Sequence, residues 1–293
     1  MDYHDDPDLF HLGELTKDFQ DEVARTFFNY SVALGIRLKK NETKFFGSGV
    51  LVIKDGHRGI MTAHHCLHNE FLDFQNGSFH GKNLVIAFQR SHMVLPPEIL
   101  IEHQLGIPKE KNGEPDLTFV EILKCDQLLT LKAVNAFWPL DKTTFEVQPA
   151  FGRIQMPFCV NGYPGEYHQK IVEKKMIRQD LKHMTYFYVN GCDSVSAPDE
   201  WDYIEAKDKK GEGLPSSFHG MSGGPVWGLR IKKLSKTSFK LSGYSLIGIN
   251  LSQTESGEDD ISVRAHFIHS IYDTAWRNIQ WRSPGIIQIL DEK

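Results

Sequence analysis

Apolar residues recur at every fourth position near the start of the chain, where Phe19, Val23 and Phe27 fall on one face of a short helix over residues 16–29 that Thr16 caps. The period then changes. Val32, Leu34, Ile36 and Leu38 alternate with the residues between them, the spacing of a half-buried strand. Runs at 45–53 and 59–63 flank Lys54-Asp55-Gly56, whose glycine tolerates positive φ, so the two runs predict a hairpin. Further strands are predicted at 83–88, 99–102 and 117–123, with a polar loop over 106–115. Residues 134–151, carrying Pro139 and Pro149, read as a linker. Strands resume at 158–165, where the run ends in a turn, and at 185–189, 225–229, 239–241 and 244–251. Residues 196–214 form a long polar excursion with Trp201 and Tyr203. Phe267, Ile271 and Ala275 line one side of a closing helix. Residues 1–13 are an acidic lead-in. The pattern is that of a mostly β chain in two sets of strands.

Composition narrows the function classes. The 293 residues carry 33 Lys and Arg against 38 Asp and Glu, a net charge of −5, so the basic excess of a nucleic-acid binder is missing. Lys232, Lys233 and Lys236 read as a solvated hairpin rather than a phosphate track. No apolar run approaches the length needed to span a bilayer, and Met1-Asp2-Tyr3-His4-Asp5-Asp6 is acidic where a secretory signal is basic and then apolar. The expectation is a cytoplasmic protein with no membrane or nucleic-acid partner. Cys66, Cys125, Cys159 and Cys192 are too scattered for a disulfide framework.

The candidate chemistry centres on Phe218-His219-Gly220-Met221-Ser222-Gly223-Gly224-Pro225. Small residues around Ser222 let the backbone pinch tightly enough to present one hydroxyl, and Gly220 permits a turn that aims its own N–H and that of Ser222 at one spot, an oxyanion hole. A serine hydroxyl needs a base and a group to orient that base. His65 follows the apolar run Gly59-Ile60-Met61-Thr62-Ala63, and Asp116 precedes Leu117-Thr118-Phe119-Val120. His64 is an alternative base, and Asp73 and Asp126 are alternative carboxylates. His64, Cys66 and His68 are also zinc-ligand types, but no second ligand cluster accompanies them, so no metal and no organic cofactor is expected.

Four stretches together, Gly47-Ser48-Gly49-Val50-Leu51-Val52, Thr62-Ala63-His64-His65-Cys66, Asp116-Leu117-Thr118-Phe119-Val120 and Gly220-Met221-Ser222-Gly223-Gly224-Pro225, resemble the chymotrypsin/trypsin-like serine proteases, of the bacterial, HtrA-like cytosolic type without a PDZ domain. The resemblance runs from about residue 32 to 272. It implies an all-β fold of two six-stranded antiparallel Greek-key barrels, about 30–133 and 150–265, in a single peptidase domain with an N-terminal helix and a C-terminal helix at about 266–280. It implies a serine endopeptidase with His65, Asp116 and Ser222 as triad and a protein substrate. Ser216, Ser217, His219, Asn250 and Ser252 would line an uncharged pocket, and Glu255, Glu258, Asp259 and Asp260 would lie on a loop able to reach it. Secreted relatives pair the cysteine at position 66 with one where Phe46 stands, so that bridge is not expected. The zymogen aspartate is replaced by Met221, which points instead to a regulatory protein partner or to control by residues 196–214. Standalone members resemble effector proteases of bacterial defence, implying an antiviral role. The rival reading is a catalytically silent trypsin-like binding module.

Overall fold

The computed structural model describes residues 15–39, 42–68, 82–88, 91–107, 115–141, 153–154, 156–165, 169–173, 176–188, 192–196, 200–209, 219–235, 238–255, 260–277, 279 and 281. Helix α1 (Lys17–Phe28) begins where the sequence places it, with the Thr16 hydroxyl accepting the Phe19 N–H, and its buried stripe is Phe19, Val23 and Phe27. Strands β1 (Ser31–Lys39), β2 (Glu42–Lys54) and β3 (His57–Thr62) follow. The β2–β3 connection is the two-residue turn Asp55-Gly56 with both φ positive, 50° and 86°, which matches the twist of the strands it joins.

A short helix α2 (His64–His68), strands β4 (Leu84–Phe88), β5 (Ser91–Leu95), β6 (Leu100–Gly106) and β7 (Leu117–Ile122), helix α3 (Asp126–Val134) and the two-residue β8 (Trp138–Pro139) complete the first half. Its sheet runs β5-β4-β1-β2-β3-β7-β6, with β8 joining β2 in parallel and every other pairing antiparallel. The second half contains β9 (Arg153–Ile154), β10 (Phe158–Gly162), β11 (Gln169–Glu173), β12 (Met176–Asp180), β13 (Met184–Tyr188), β14 (Cys192–Ser196), β15 (Asp202–Lys209), β16 (Pro225–Ser235), β17 (Ser238–Glu255), β18 (Asp260–His266) and helix α4 (Ile268–Tyr272). Its sheet runs β13-β10-β16-β17-β18-β15-β14-β9, and β11–β12 form a separate hairpin.

The molecule is therefore β-rich with few helices and two large antiparallel sheets, but each sheet has eight strands rather than the expected six. In the first sheet the additions are β5, which extends the edge beside β4, and β8. No pairing among the described residues joins the ends of either sheet. The expected long C-terminal helix is also broken. His266 still belongs to β18, and α4 stops at Tyr272 before one further turn over Thr274–Trp276, because Asp273 leaves the helical region at φ −128° and ψ −68°. The carboxylate of Asp202 caps α4, accepting the His269 N–H at 3.0 Å and the Ser270 N–H at 2.6 Å.

Among the described residues, three large apolar clusters organise the interior, beside a small one of Ala33, Ala87 and Tyr163. One lies within the first sheet (Leu34, Leu51, Ile60, Val120 and their neighbours) and one within the second (Phe158, Val160, Met221, Val226, Ile247). The third joins the sheets, drawing Val50, Met61 and Phe119 from the first against Trp227, Leu246 and Ile249 of the second. Helix α1 closes that seam, with Phe27 stacked on Trp227 at 4.8 Å between ring centres.

Candidate active site

Strand register brings the first two site residues together. Thr62 at the end of β3 pairs with Thr118 near the start of β7, so the residues just after Thr62 lie beside those just before Leu117. His65 and Asp116 meet there. One carboxylate oxygen of Asp116 accepts the backbone N–H of His65 at 2.8 Å, and the other is in close hydrogen-bond contact with His65 Nδ1. The carboxylate side chain is 7% exposed and the imidazole 37%, so the ring is open to solvent while the group that orients it is not. Burial works against a charge on His65, but its hydrogen bonds to Asp116 and Cys66 outweigh that and push it up to about 10.

The sheet seam delivers the serine. The loop between β15 and β16 turns through two glycines with positive φ, Gly220 at 91° and Gly223 at 81°. A side chain on Gly223 would sit 1.9 Å from Thr62 Oγ1 and 2.3 Å from the Ser48 carbonyl, so the loop lies directly on the end of β3. Ser48 is the fastener. Its N–H donates to the Ser222 carbonyl at 2.9 Å, its hydroxyl donates to the Gly220 carbonyl at 2.7 Å and accepts the Tyr163 N–H at 2.9 Å, and its own carbonyl accepts the Thr62 hydroxyl. On the opposite side the Gly223 N–H donates to the Asn250 carbonyl and the Asn250 amide to the Met221 carbonyl.

Ser222, partly exposed, thus comes beside the His65–Asp116 pair through its backbone, with Cys66 between them. Cys66 Sγ is 3.4 Å from the Ser222 carbonyl oxygen and 3.7 Å from His65 Nε2. A Ser222 hydroxyl bond to His65 Nε2 is not among the described hydrogen bonds. The N–H groups of Gly220 and Ser222 donate to no backbone carbonyl among the described residues.

The other sequence candidates divide. His64 is buried, 3.8 Å from a Glu102 carboxylate oxygen through Nδ1, and burial holds it below the usual imidazole range; the Asp116 carboxylate is committed to His65 instead. Asp126 opens α3, and Asp73 lies outside the described residues. The four cysteines are free, and among the described residues no set of three or more His, Cys, Asp or Glu converges on a metal position. His219 is exposed. Asn250 is buried, and its amide braces the serine loop through the Met221 carbonyl. Ser216 and Ser217 lie outside the described residues, as do Glu258 and Asp259; of Ser252 only the backbone is described, paired with Arg264. Glu255 and Asp260 are not on a loop but in β17 and β18. Met221 is fully buried in the second sheet's cluster.

Sequence reasoning missed Ser48, hidden in a Gly-Ser-Gly run, and His266. His266 ends β18 in the second sheet, fully buried, and its Nε2 accepts the backbone N–H of Asp116 at 3.2 Å. No local motif marks it.

No family model matches the chain, and no curated protein matches it. A solved structure described as "Aromatic interactions drive the coupled folding and binding of the intrinsically disordered Sesbania mosaic virus VPg protein" is similar over 84% of this chain and 88% of that chain, at 15% identity and a TM-score of 0.42. No helix among the described residues is long and apolar enough to cross a membrane.

Proposed function

We propose that the chain is a trypsin-like serine endopeptidase. The observation that carries this reading is the two-point grip of Asp116 on His65, through the backbone N–H and Nδ1, at the place where the Ser222 loop packs on the end of β3. With Nδ1–H donating to the carboxylate, Nε2 is left as the base. It takes the Ser222 proton as the hydroxyl oxygen attacks a peptide carbonyl, then gives it to the departing amine; water releases the acyl group with the roles reversed. The raised proton affinity of His65 stabilises the imidazolium that forms midway, but it also keeps the free ring protonated until the pH rises, so only the deprotonated ring serves as the base and turnover should increase towards alkaline pH. The Gly220 and Ser222 N–H groups receive the oxyanion. The strand order β4-β1-β2-β3 is that of a Greek key, which supports the two-barrel architecture of such proteases.

Met221, enclosed in apolar surroundings, offers no carboxylate for a cleaved N-terminus to pair with, so activation does not run through zymogen cleavage, and a protein partner or residues 196–214 would modulate a basal turnover that the protein has by itself. The missing Ser222–His65 hydrogen bond favours a second reading, a binding module without turnover, although catalytic hydrogen bonds in ligand-free sites are often long. Incubation with an unfolded protein substrate separates the two. The wild type should release peptides, while Ser222→Ala and His65→Ala should each fall by at least about a thousandfold. Equal cleavage by wild type and Ser222→Ala would assign any activity to a contaminant and leave the binding module.

A further inference from the structure

We propose that His266 is a positioning residue that sets Asp116, and through it His65, from the opposite sheet. It rests on the serine protease reading of the same site. Asp116 directly precedes Leu117, the first paired residue of β7, so the β6–β7 ladder does not include its backbone. The carboxylate can hold His65 in register only if this backbone is itself held. His266 Nε2 does so by accepting the Asp116 N–H at 3.2 Å.

Three features make the imidazole a specific anchor rather than core filling. Its residue is fully buried at the end of β18, whose backbone is paired on both sides, to Tyr203 of β15 and Ile249 of β17. Trp201 and Tyr203 hold the ring, each 4.9 Å away between ring centres. And it is kept neutral by burial, which leaves Nε2 a lone pair to accept with and places the proton on Nδ1. Nδ1 finds no partner among the described residues, a cost that an apolar ring of the same size would avoid. A buried polar ring that leaves one nitrogen unsatisfied is accounted for by what the other nitrogen does. Because the bond crosses from the second sheet to the first, it also ties the sheet that carries the serine loop to the residue that orients the base.

Substitution at 266 separates this role from volume. His266→Gln keeps an acceptor near the Nε2 position, whereas His266→Phe keeps the ring and removes the acceptor. With a peptide substrate, His266→Phe should lose about tenfold to a hundredfold in kcat with KM unchanged, and His266→Gln should stay within about threefold of wild type. If His266→Phe does not fold, His266→Asn, which draws the acceptor back from Asp116, is read in its place with the same expected loss. Equal kcat in wild type and the acceptor-less variant, or equal loss in the Gln and Phe variants, would overturn the positioning role. Failure of the protease reading looks different: the wild type itself would show no turnover that depends on Ser222.

Discussion

His266 is fully enclosed, and the loss of water pushes its imidazole down to about 3, whereas the hydrogen bonds of His65 push that ring up to about 10 against its own burial. The consequences for stability fall in different pH ranges. An unfolded chain protonates both histidines below about pH 6.5, so His65 adds no slope there, being charged in both states. His266 is neutral in the fold and charged in the unfolded chain between about pH 6.5 and 3. Stability should therefore fall as pH drops through that window, by up to about 1.4 kcal/mol per pH unit from His266 alone. His183, also pushed down to about 3 by burial, acts in the same direction. Urea midpoints at pH 7 and pH 5 measure the effect, and His266→Gln should flatten it; an unchanged slope would mean the ring is not held neutral. At this scale the sequence was legible where chemistry imposes a local pattern, as around Ser222 and His65. It was silent on His266 and Ser48, whose roles exist only after two distant strands meet.

The hairpin β2–β3 and the serine loop both depend on glycines with positive φ, but for different reasons. Nothing lies within 4 Å of a side chain added at Gly56, so Gly56→Ala meets only the backbone penalty, about 1–2 kcal/mol. A side chain at Gly223 would strike Thr62 Oγ1, the Ser48 carbonyl and the Ala63 N–H, so Gly223→Ala should cost about 3 kcal/mol or more and push the serine loop off β3. Denaturation curves of the two variants, with activity alongside, test the difference; similar costs would mean the loop does not sit on β3. The Asp-Gly turn could be foreseen because the turn type dictates its residues. Other elements could not, and two of them show why. Helix α3 is capped by Cys125, whose sulfur accepts the Leu128 N–H at 3.5 Å, an unusual cap in place of the hydroxyl or carboxylate that marks most helix starts. Strand β15 lies inside the expected polar excursion 196–214 because its charged positions, Asp202, Glu205, Lys207, Asp208 and Lys209, outnumber the apolar Tyr203, Ile204 and Ala206 that the two clusters bury.

The site belongs to the whole molecule, since the first sheet supplies His65, Asp116 and Ser48 and the second supplies Ser222 and His266. What holds the sheets together is the shared apolar cluster closed by α1. Phe27→Ala, which removes the ring stacked on Trp227, should cost about 3–5 kcal/mol and lower activity although it touches no site residue. Thermal melting and turnover read the two effects, and full activity in a strongly destabilised variant would argue that the site does not need the seam. The helix stripe that builds this seam was plain in the sequence, while the docking of the two sheets was expected only through a family resemblance. The most direct test of the central claim is mass spectrometry of the folded protein after treatment with a fluorophosphonate, which reacts with activated serine hydroxyls. The account predicts a single adduct on Ser222 that Ser222→Ala abolishes and His65→Ala suppresses. An unmodified Ser222, or an adduct indifferent to the loss of His65, would contradict it.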